Sequence, residues 1–187
     1  GSRDAVTPAV RVKKDERDEK ELERDKASVY RGIVARANYL AQDRTDIKFA
    51  TKELSRGMAK PRVKDVEAAK RLARYLAGRP RMVNKFRRQK RPGGIEGWSD
   101  SDWAGCLETR KSTSGGLIKW GEHVLKGWSS TQSVVALSSG EAEFYAMVKA
   151  ASQALGMKAM LKDLGVVGGK GSPIGITIVT DASAAKG

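Results

Sequence analysis

Three short acidic stretches constrain the fold of this chain more than any other feature of its sequence. They are residues 98–103 (WSDSDW), 138–143 (SSGEAE) and 178–181 (IVTD). The first and third follow apolar runs and predict strand ends, whereas the second predicts the opening of an amphipathic helix. A fold that brings these ends together places Asp100, Glu143 and Asp181 in one cluster.

Such a cluster has a specific chemical meaning. Three carboxylates in close contact repel one another, so the arrangement is unfavourable unless cations lie among them. Carboxylate and water ligands suit Mg²⁺ or Mn²⁺, and two such ions can activate a water molecule and stabilise the leaving oxygen in phosphodiester cleavage. Any one of these acids alone is better interpreted as a turn residue or a helix cap. The three together, in this order, predict a metal site.

Composition excludes several other kinds of site. The chain has 187 residues, one cysteine and one histidine, so it holds no internal disulfide and no cysteine-based zinc site, and histidine-based metal sites are not expected. Its length predicts one medium domain or two small ones. No apolar run approaches the roughly 20 residues that a membrane-spanning helix needs. A single cysteine fits a reducing, intracellular compartment.

Positive charge is concentrated in the first half of the chain. The net charge is +14, and residues 1–94 carry all of it, with 27 basic and 13 acidic side chains. The densest stretch lies between residues 79 and 91, has no acid, and is called the basic segment below. Its cations are Arg79, Arg81, Lys85, Arg87, Arg88, Lys90 and Arg91. They predict contacts with nucleic-acid phosphates; the alternative is a solvated loop.

The patterning divides the chain into four parts. Residues 1–27 read as a charged arm that is expected to be disordered. Residues 1–12 lack periodicity, and residues 13–26 are almost wholly charged with Leu22 as their only apolar side chain; a solvated helix is the alternative for residues 13–26. Residues 28–78 predict three packed helices, the second of them capped by Thr45. Residues 79–94 form a basic linker, and residues 95–187 form the domain that contains all three acids.

Within this last domain, short strands are expected at 95–98, 116–120 and 123–128, and their close spacing predicts antiparallel hairpins. A helix should open with the capping box at Ser138 and Glu141 and run to about Leu164. Its apolar stripe is expected at Phe144, Val148, Ala151 and Leu155. A glycine-rich loop at 168–171 leads to a buried strand that ends at Asp181 and is expected in the middle of the sheet.

The element order and several short sequence motifs resemble those of a known family. Strand, strand, strand, helix, strand, with acids after the first strand, in the helix and after the fourth strand, resembles the ribonuclease H fold. Residues 98–105 (WSDSDWAG), 110–115 (RKSTSG) and 135–146 (VALSSGEAEFYA) are similar to the ribonuclease H domain of copia-type LTR retrotransposon polyproteins. Residues 69–78 (AKRLARYLAG) resemble the segment between reverse transcriptase and ribonuclease H in those polyproteins.

The resemblance implies an α/β fold with a mixed, ribonuclease H-like sheet, preceded by a small three-helix region. It implies that Asp100, Glu143 and Asp181 hold Mg²⁺ or Mn²⁺. The neighbouring acids Asp102 and Glu141 are not expected to be ligands. Glu143 is preferred because the apolar stripe follows it at the family's spacing. The implied activity is cleavage of the RNA strand of RNA–DNA hybrids, within a polyprotein or with other protein subunits, in the nucleus, the cytoplasm or a virus-like particle.

Two departures from the family pattern open an alternative. The chain has no reverse-transcriptase Tyr-x-Asp-Asp motif, so no polymerase activity is expected of it. In the family, a last strand, a last helix and a fourth carboxylate follow the position of Asp181, and residues 95–187 are expected to lack them. The alternative is therefore a catalytically impaired remnant that serves as a nucleic-acid-binding or structural subunit.

Overall fold

The computed structural model describes residues 5–10, 20–166 and 174–181. The chain divides into two units, Gly1–Val83, here the helical unit, and Asn84–Gly187, here the sheet unit. The described residues contain four α-helices and one mixed sheet of four strands, so the protein is a mixed α/β protein. None of these helices combines the length and the apolar character needed to cross a membrane.

Three helices build the helical unit: α1 (Arg24–Leu40), α2 (Lys48–Arg56) and α3 (Val63–Gly78). A single 3-10 turn, Thr45–Ile47, precedes α2. Their buried faces meet in one core, whose largest members are Tyr30, Val34, Ile47, Leu54, Leu72 and Tyr75. The Tyr30 hydroxyl donates to the Leu54 carbonyl at 2.7 Å, which satisfies a polar group inside this core.

A partly buried ion pair fixes the connection between α1 and α2. The Arg44 guanidinium donates to both carboxylate oxygens of Asp46, at 2.9 and 2.7 Å, and the Tyr75 hydroxyl donates to the same carboxylate at 2.8 Å. The expected capping of the second helix by Thr45 is wrong, because α2 begins at Lys48 and no side chain caps its start. The turn is held instead through Asp46.

The boundary between arm and helices differs from the sequence expectation. Helix α1 begins at Arg24, and the residues just before it pair with the segment before α3: the Leu22 amide donates to the Pro61 carbonyl and the Val63 amide to the Lys20 carbonyl. Leu22 also packs against the core. Residues 20–27 therefore belong to the helical unit, because backbone pairing compensates for the near-absence of apolar side chains. Residues 1–4 and 11–19 lie outside the described residues.

In the sheet unit, strands β1 (Gly94–Asp102), β2 (Thr113–Trp120) and β3 (His123–Thr131) form two antiparallel hairpins, as the spacing predicts. Strand β4 (Gly175–Val179) runs parallel to β1 on its other side, which gives the order β3-β2-β1-β4. Helix α4 (Ser139–Asp163) covers one face of this sheet. Strand β1 is longer than expected, so Asp100 lies within it.

The expectation of a central strand before Asp181 is wrong for the described residues. Strand β4 has one neighbour there, β1, and its side chains alternate between more and less exposed positions. Ile176 and Ile178 pack toward the core, whereas Gly175 and Thr177 are exposed. The pattern is that of an edge strand with one covered face. The glycine-rich loop at 168–171 and the segment after Asp181 lie outside the described residues.

The expected apolar stripe of α4 is also wrong. The buried side chains are Ala142, Ala146, Ala150, Ala154 and Leu161. Phe144, Val148 and Leu155 are instead between 51% and 60% exposed. Small side chains occupy this face because the helix and the sheet approach closely. A Cβ on Gly97 of β1 would lie 3.5 Å from the Ala150 carbonyl oxygen. Larger side chains on that face would push the helix away from the sheet.

Candidate metal centre

Three carboxylates meet where β1, α4 and β4 come together. Asp100, Glu143 and Asp181 each offer one carboxylate oxygen, and these three oxygens all lie within 4.8 Å of one another. Asp100 and Asp181 are exposed, whereas Glu143 is half-buried. We call these three residues the acidic cluster. The sequence predicted this juxtaposition, and the roles of the three residues as metal ligands stay a prediction.

The sheet register explains why two of the acids are neighbours. Strands β1 and β4 are parallel, and Trp98 lies opposite Val179, the last residue of β4. Asp100 and Asp181 follow these two positions by two residues each, so both lie near the carboxyl ends of adjacent strands. Helix α4 brings Glu143 to the same place within its first two turns.

Glu143 is held in place by Ser101. One of its oxygens, Oε1, accepts two hydrogen bonds, from the Ser101 amide at 3.1 Å and from the Ser101 hydroxyl at 2.7 Å. The other oxygen, Oε2, is buried and has no hydrogen-bond partner among the described residues. A buried carboxylate oxygen without a donor is costly. A divalent cation shared with the two neighbouring carboxylates would satisfy it, so the residues present fit such an ion.

The two neighbouring acids, Asp102 and Glu141, lie outside the acidic cluster. Glu141 works as a helix cap: its amide donates to the Ser138 hydroxyl at 3.1 Å, and its Oε2 accepts from the Leu137 amide at 2.7 Å. This is close to the capping box that the sequence predicts. Asp102 folds over the turn after β1, where a Cβ on Gly105 would lie 2.1 Å from its Oδ2.

A buried polar network anchors the start of α4, and the sequence did not point to it. The Gln132 side-chain amide donates both to the Ser114 hydroxyl at 3.0 Å and to the Ala142 carbonyl at 2.8 Å. Nearby, the Ser112 hydroxyl accepts from the Ala104 amide at 3.0 Å. Because Ala142 precedes Glu143, this network links β2 and the end of β3 to the position of the carboxylate. The only local sign of this polar network in the sequence is the run of small polar residues at 112–114.

The basic segment presents its charges to solvent. All seven of its cations are exposed, and none pairs with an acid among the described residues. Arg79 and Arg81 belong to the helical unit, the other five to the sheet unit. Arg79 lies over the Tyr75 ring, 5.3 Å from its centroid. Their predicted contact with nucleic acid stays a prediction.

The part of this segment in the sheet unit is fixed to the β2–β3 hairpin. The Gln89 side chain donates to the Trp120 carbonyl at 3.0 Å and accepts from the Glu122 amide at 3.0 Å. His123 contacts the Arg87 carbonyl at 2.8 Å and the edge of the Phe86 ring. Gly121 adopts a φ of +61°, and a Cβ there would meet Gln89 at 2.4 Å. The cations therefore extend from a segment that is fixed to the hairpin.

Comparison with known proteins finds relatives among transposon polyproteins. The chain is 36% identical over 137 residues to the retrovirus-related Pol polyprotein from transposon RE1 of Arabidopsis thaliana, a match that covers 73% of this chain and 9% of the polyprotein. It is 32% identical over 127 residues to the corresponding polyprotein from transposon TNT 1-94 of Nicotiana tabacum, which covers 66% of this chain and 9% of that one. The chain thus spans about a tenth of the length of these polyproteins.

A shorter relative matches over most of its length. The secreted RxLR effector protein 161 of Plasmopara viticola is 37% identical over 112 residues, which are 60% of this chain and 78% of the effector protein. No protein-family model matches the chain. No solved structure matches it either.

Proposed function

The chain belongs to a family that includes the Plasmopara viticola effector protein and a segment of transposon Pol polyproteins, and we propose that it is a ribonuclease H module. In this proposal it cleaves the RNA strand of an RNA–DNA hybrid with Mg²⁺ or Mn²⁺. One observation carries the proposal: three carboxylates from three elements lie within 4.8 Å, and one of their oxygens is buried without a donor.

In the proposed reaction, Asp100, Glu143 and Asp181 hold the cations. Bound divalent ions supply charge stabilisation of the phosphodiester oxygens and a more acidic water molecule. Glu143 is oriented by the amide and hydroxyl of Ser101, which leave its second oxygen directed away from those donors. Among the described residues, the exposure of Asp100 and Asp181 leaves one side of the acidic cluster open for the approach of a phosphodiester.

Recognition of the hybrid does not require contacts with base edges. A ribonuclease of this type selects its substrate through backbone shape and 2′-hydroxyl groups, because the deep groove of A-like duplexes is closed to side chains. The exposed, unpaired cations of the basic segment suit phosphate binding, which is independent of sequence and sensitive to salt. We therefore assign them to the duplex backbone.

The test is cleavage of three matched duplexes that carry the same sequence: RNA–DNA, RNA–RNA and DNA–DNA. With Mg²⁺ or Mn²⁺, the full chain should cut the labelled RNA strand of the hybrid and leave the other duplexes intact. Asp100→Asn should abolish cleavage, because the amide removes one anionic ligand. Asp102→Asn, two residues away and outside the acidic cluster, is the matched control and should retain it.

Two results would overturn the proposal. One is equal cleavage by the wild type and Asp100→Asn, which would assign the activity to another site or a contaminant. The other is tight hybrid binding with no cleavage by a folded wild-type chain that binds Mn²⁺. That second result would favour the alternative role as a nucleic-acid-binding subunit.

A further inference from the structure

Lys149 occupies an unusual position on α4. It is half-buried, and its ammonium donates to the Ser130 hydroxyl of β3. No described acid forms an ion pair with it. Burial lowers the pKa of Lys149, and the nearby positive charge of Lys126 lowers it further. A half-buried cation without a counter-ion is unfavourable unless something else in the functioning complex supplies the negative charge.

Lys126 and Ser130 lie on the same face of β3. Residues at even spacing along a strand point to one side, and Ser130 reaches α4 through Lys149. Lys126 is exposed and also has no ion pair among the described residues. Its register partner is Ile118, which is fully buried under the helix. The Lys126 backbone lies about 13 Å from that of Ser130 along the strand, and its ammonium is near enough for its charge to act on Lys149. Two ammonium groups and one hydroxyl therefore lie on the helix-covered face of the β3 edge.

The Ser130 hydroxyl completes the donor set for an anion. Its oxygen accepts the hydrogen bond from Lys149, so its own proton stays free to donate. An anion near both lysines and this hydroxyl would relieve the repulsion between the two positive charges. Phosphate oxygens are suited to such a set, because each can accept a charge-assisted hydrogen bond.

The sheet register links this position to the acidic cluster. Ser101 of β1 lies opposite Ser114 of β2, and Ser114 lies opposite Ser130 of β3. With neighbouring strands about 4.8 Å apart, Ser130 lies roughly 10 Å from Ser101, the residue that orients Glu143. Lys149 also follows Glu143 by six residues on α4, or about 9 Å along the helix axis. The Ser130–Ser101 and Lys149–Glu143 separations are therefore similar, at roughly 9 to 10 Å.

We propose that Lys149, Ser130 and Lys126 form a subsite for a backbone phosphate of the nucleic acid whose scissile bond lies at the acidic cluster. The proposal rests on the proposed function, since it assumes that a duplex lies across the sheet. A distance of about 10 Å along a duplex axis corresponds to roughly three phosphates of one strand at 3.4 Å each. The subsite would therefore fix the position of the cut relative to the bound backbone.

Binding without cleavage tests the subsite separately from catalysis. The full chain is titrated with an RNA–DNA hybrid in the absence of divalent ions, across a range of salt concentrations. Lys149→Gln and Lys126→Gln should each weaken binding, and the double variant should weaken it about eightfold at 0.1 M salt and reduce the salt slope by about 0.9, the value of one phosphate contact. Lys162→Gln, an exposed lysine of the same helix, is the matched control and should change neither quantity.

A second readout works without any substitution at the subsite. In the reductively methylated wild-type chain, the NMR signal of Lys149 should titrate at a higher pH when the hybrid is bound, because a phosphate stabilises the charged ammonium. Polyglutamate of matched charge should not reproduce this increase. Polyglutamate that does reproduce it would overturn the phosphate assignment in favour of a general anion site.

The outcomes separate the subsite from the proposed function. Lysine-dependent hybrid binding without any cleavage would support the subsite and count against the ribonuclease. Cleavage by a wild-type chain whose Lys149 and Lys126 variants bind and cut like the wild type would overturn the subsite alone. An unchanged Lys149 signal on hybrid binding would also overturn it.

Discussion

Ser101 donates two hydrogen bonds to a single carboxylate oxygen of Glu143, from its amide at 3.1 Å and from its hydroxyl at 2.7 Å. This contact joins β1 to the first turns of α4. It also divides the two oxygens of Glu143 between two roles, because Oε1 is occupied by protein donors and Oε2 has none among the described residues. The geometry of the acidic cluster therefore depends on Ser101 as well as on the acids.

Ser101→Ala should weaken Mn²⁺ binding about tenfold, because residues that orient a metal ligand typically contribute this much to metal affinity. Isothermal titration calorimetry measures the affinity directly. Ser99→Ala is the matched control: Ser99 lies two residues earlier on β1, is buried, and its hydroxyl has no partner among the described residues. Equal affinities for the two variants would show that Ser101 does not orient Glu143.

Removing four cations of the basic segment should weaken duplex binding for any sequence. The variant replaces Arg87, Arg88, Lys90 and Arg91 with glutamine. Each lost phosphate contact should reduce the salt slope by about 0.9, so the combined change reports how many of the four touch the duplex. Fluorescence anisotropy at several salt concentrations measures both affinity and slope.

The control for this variant keeps the same change in net charge. It replaces four exposed cations outside the basic segment, namely Arg24, Arg36, Arg74 and Lys162. A smaller loss of affinity in the control is expected. Equal losses would mean that net charge alone drives binding, and an unchanged slope in the first variant would make the basic segment a solvated loop.

Because alanines line the face of α4 that packs on the sheet, the stability of the sheet unit should be sensitive to added side-chain volume there. Ala146→Leu should lower the free energy of unfolding by about 1–3 kcal/mol, because the added atoms must displace a closely packed sheet. Phe144→Ala should change it by less than about 0.5 kcal/mol, since Phe144 is 58% exposed and its ring contact is with the neighbouring Tyr145 of the same helix. Urea unfolding followed by circular dichroism compares them. A larger effect at Phe144 would contradict the observed helix orientation.

Asp46 should titrate at lower pH than an ordinary aspartate. Its hydrogen bonds from Arg44, and then from Tyr75, lower its pKa. A lowered folded-state pKa stabilises the fold above the unfolded pKa of about 3.9, and this contribution disappears as pH falls through the folded pKa. Asp46→Asn should therefore destabilise the chain at pH 7 and have less effect in acid.

The titration of the Asp46 carboxyl carbon by NMR measures this pKa directly. A midpoint below about 3.9 is expected. A midpoint for Asp46 at or above that of an ordinary aspartate would show that the Arg44 contact does not persist in solution.

Local signals explain what the sequence predicted well. Hairpin spacing, the cap at Ser138 and the acids at strand ends depend on neighbouring residues, so the strands of the sheet and the juxtaposition of the acidic cluster could be read from the chain. The apolar stripe that favours Glu143 over Glu141 is nevertheless wrong. Phe144 and Val148 do not mark the buried face of α4, although Glu143 does join the acidic cluster.

Tertiary packing explains what the sequence did not show. Periodicity favours large apolar side chains as core residues, yet Ala27 and Ala146 are buried while Val29 and Ile33 are exposed. The contacts of Gln132 and Lys149 join elements that are distant in sequence, and no local pattern indicates them. The edge position of β4 likewise depends on which segments pair with it, not on its composition.

The proposed ribonuclease activity depends most on a divalent cation held by Asp100, Glu143 and Asp181. The most direct measurement is the melting temperature of the full chain during Mn²⁺ titration, since an ion that binds the folded state stabilises it by about 2.7 kcal/mol at a hundred times its dissociation constant. The wild type and the Asp102→Asn control should gain stability together, whereas Asp181→Asn should lose most of the gain. An unchanged wild-type melting temperature at millimolar Mn²⁺, or an equal gain in Asp181→Asn, would contradict the account.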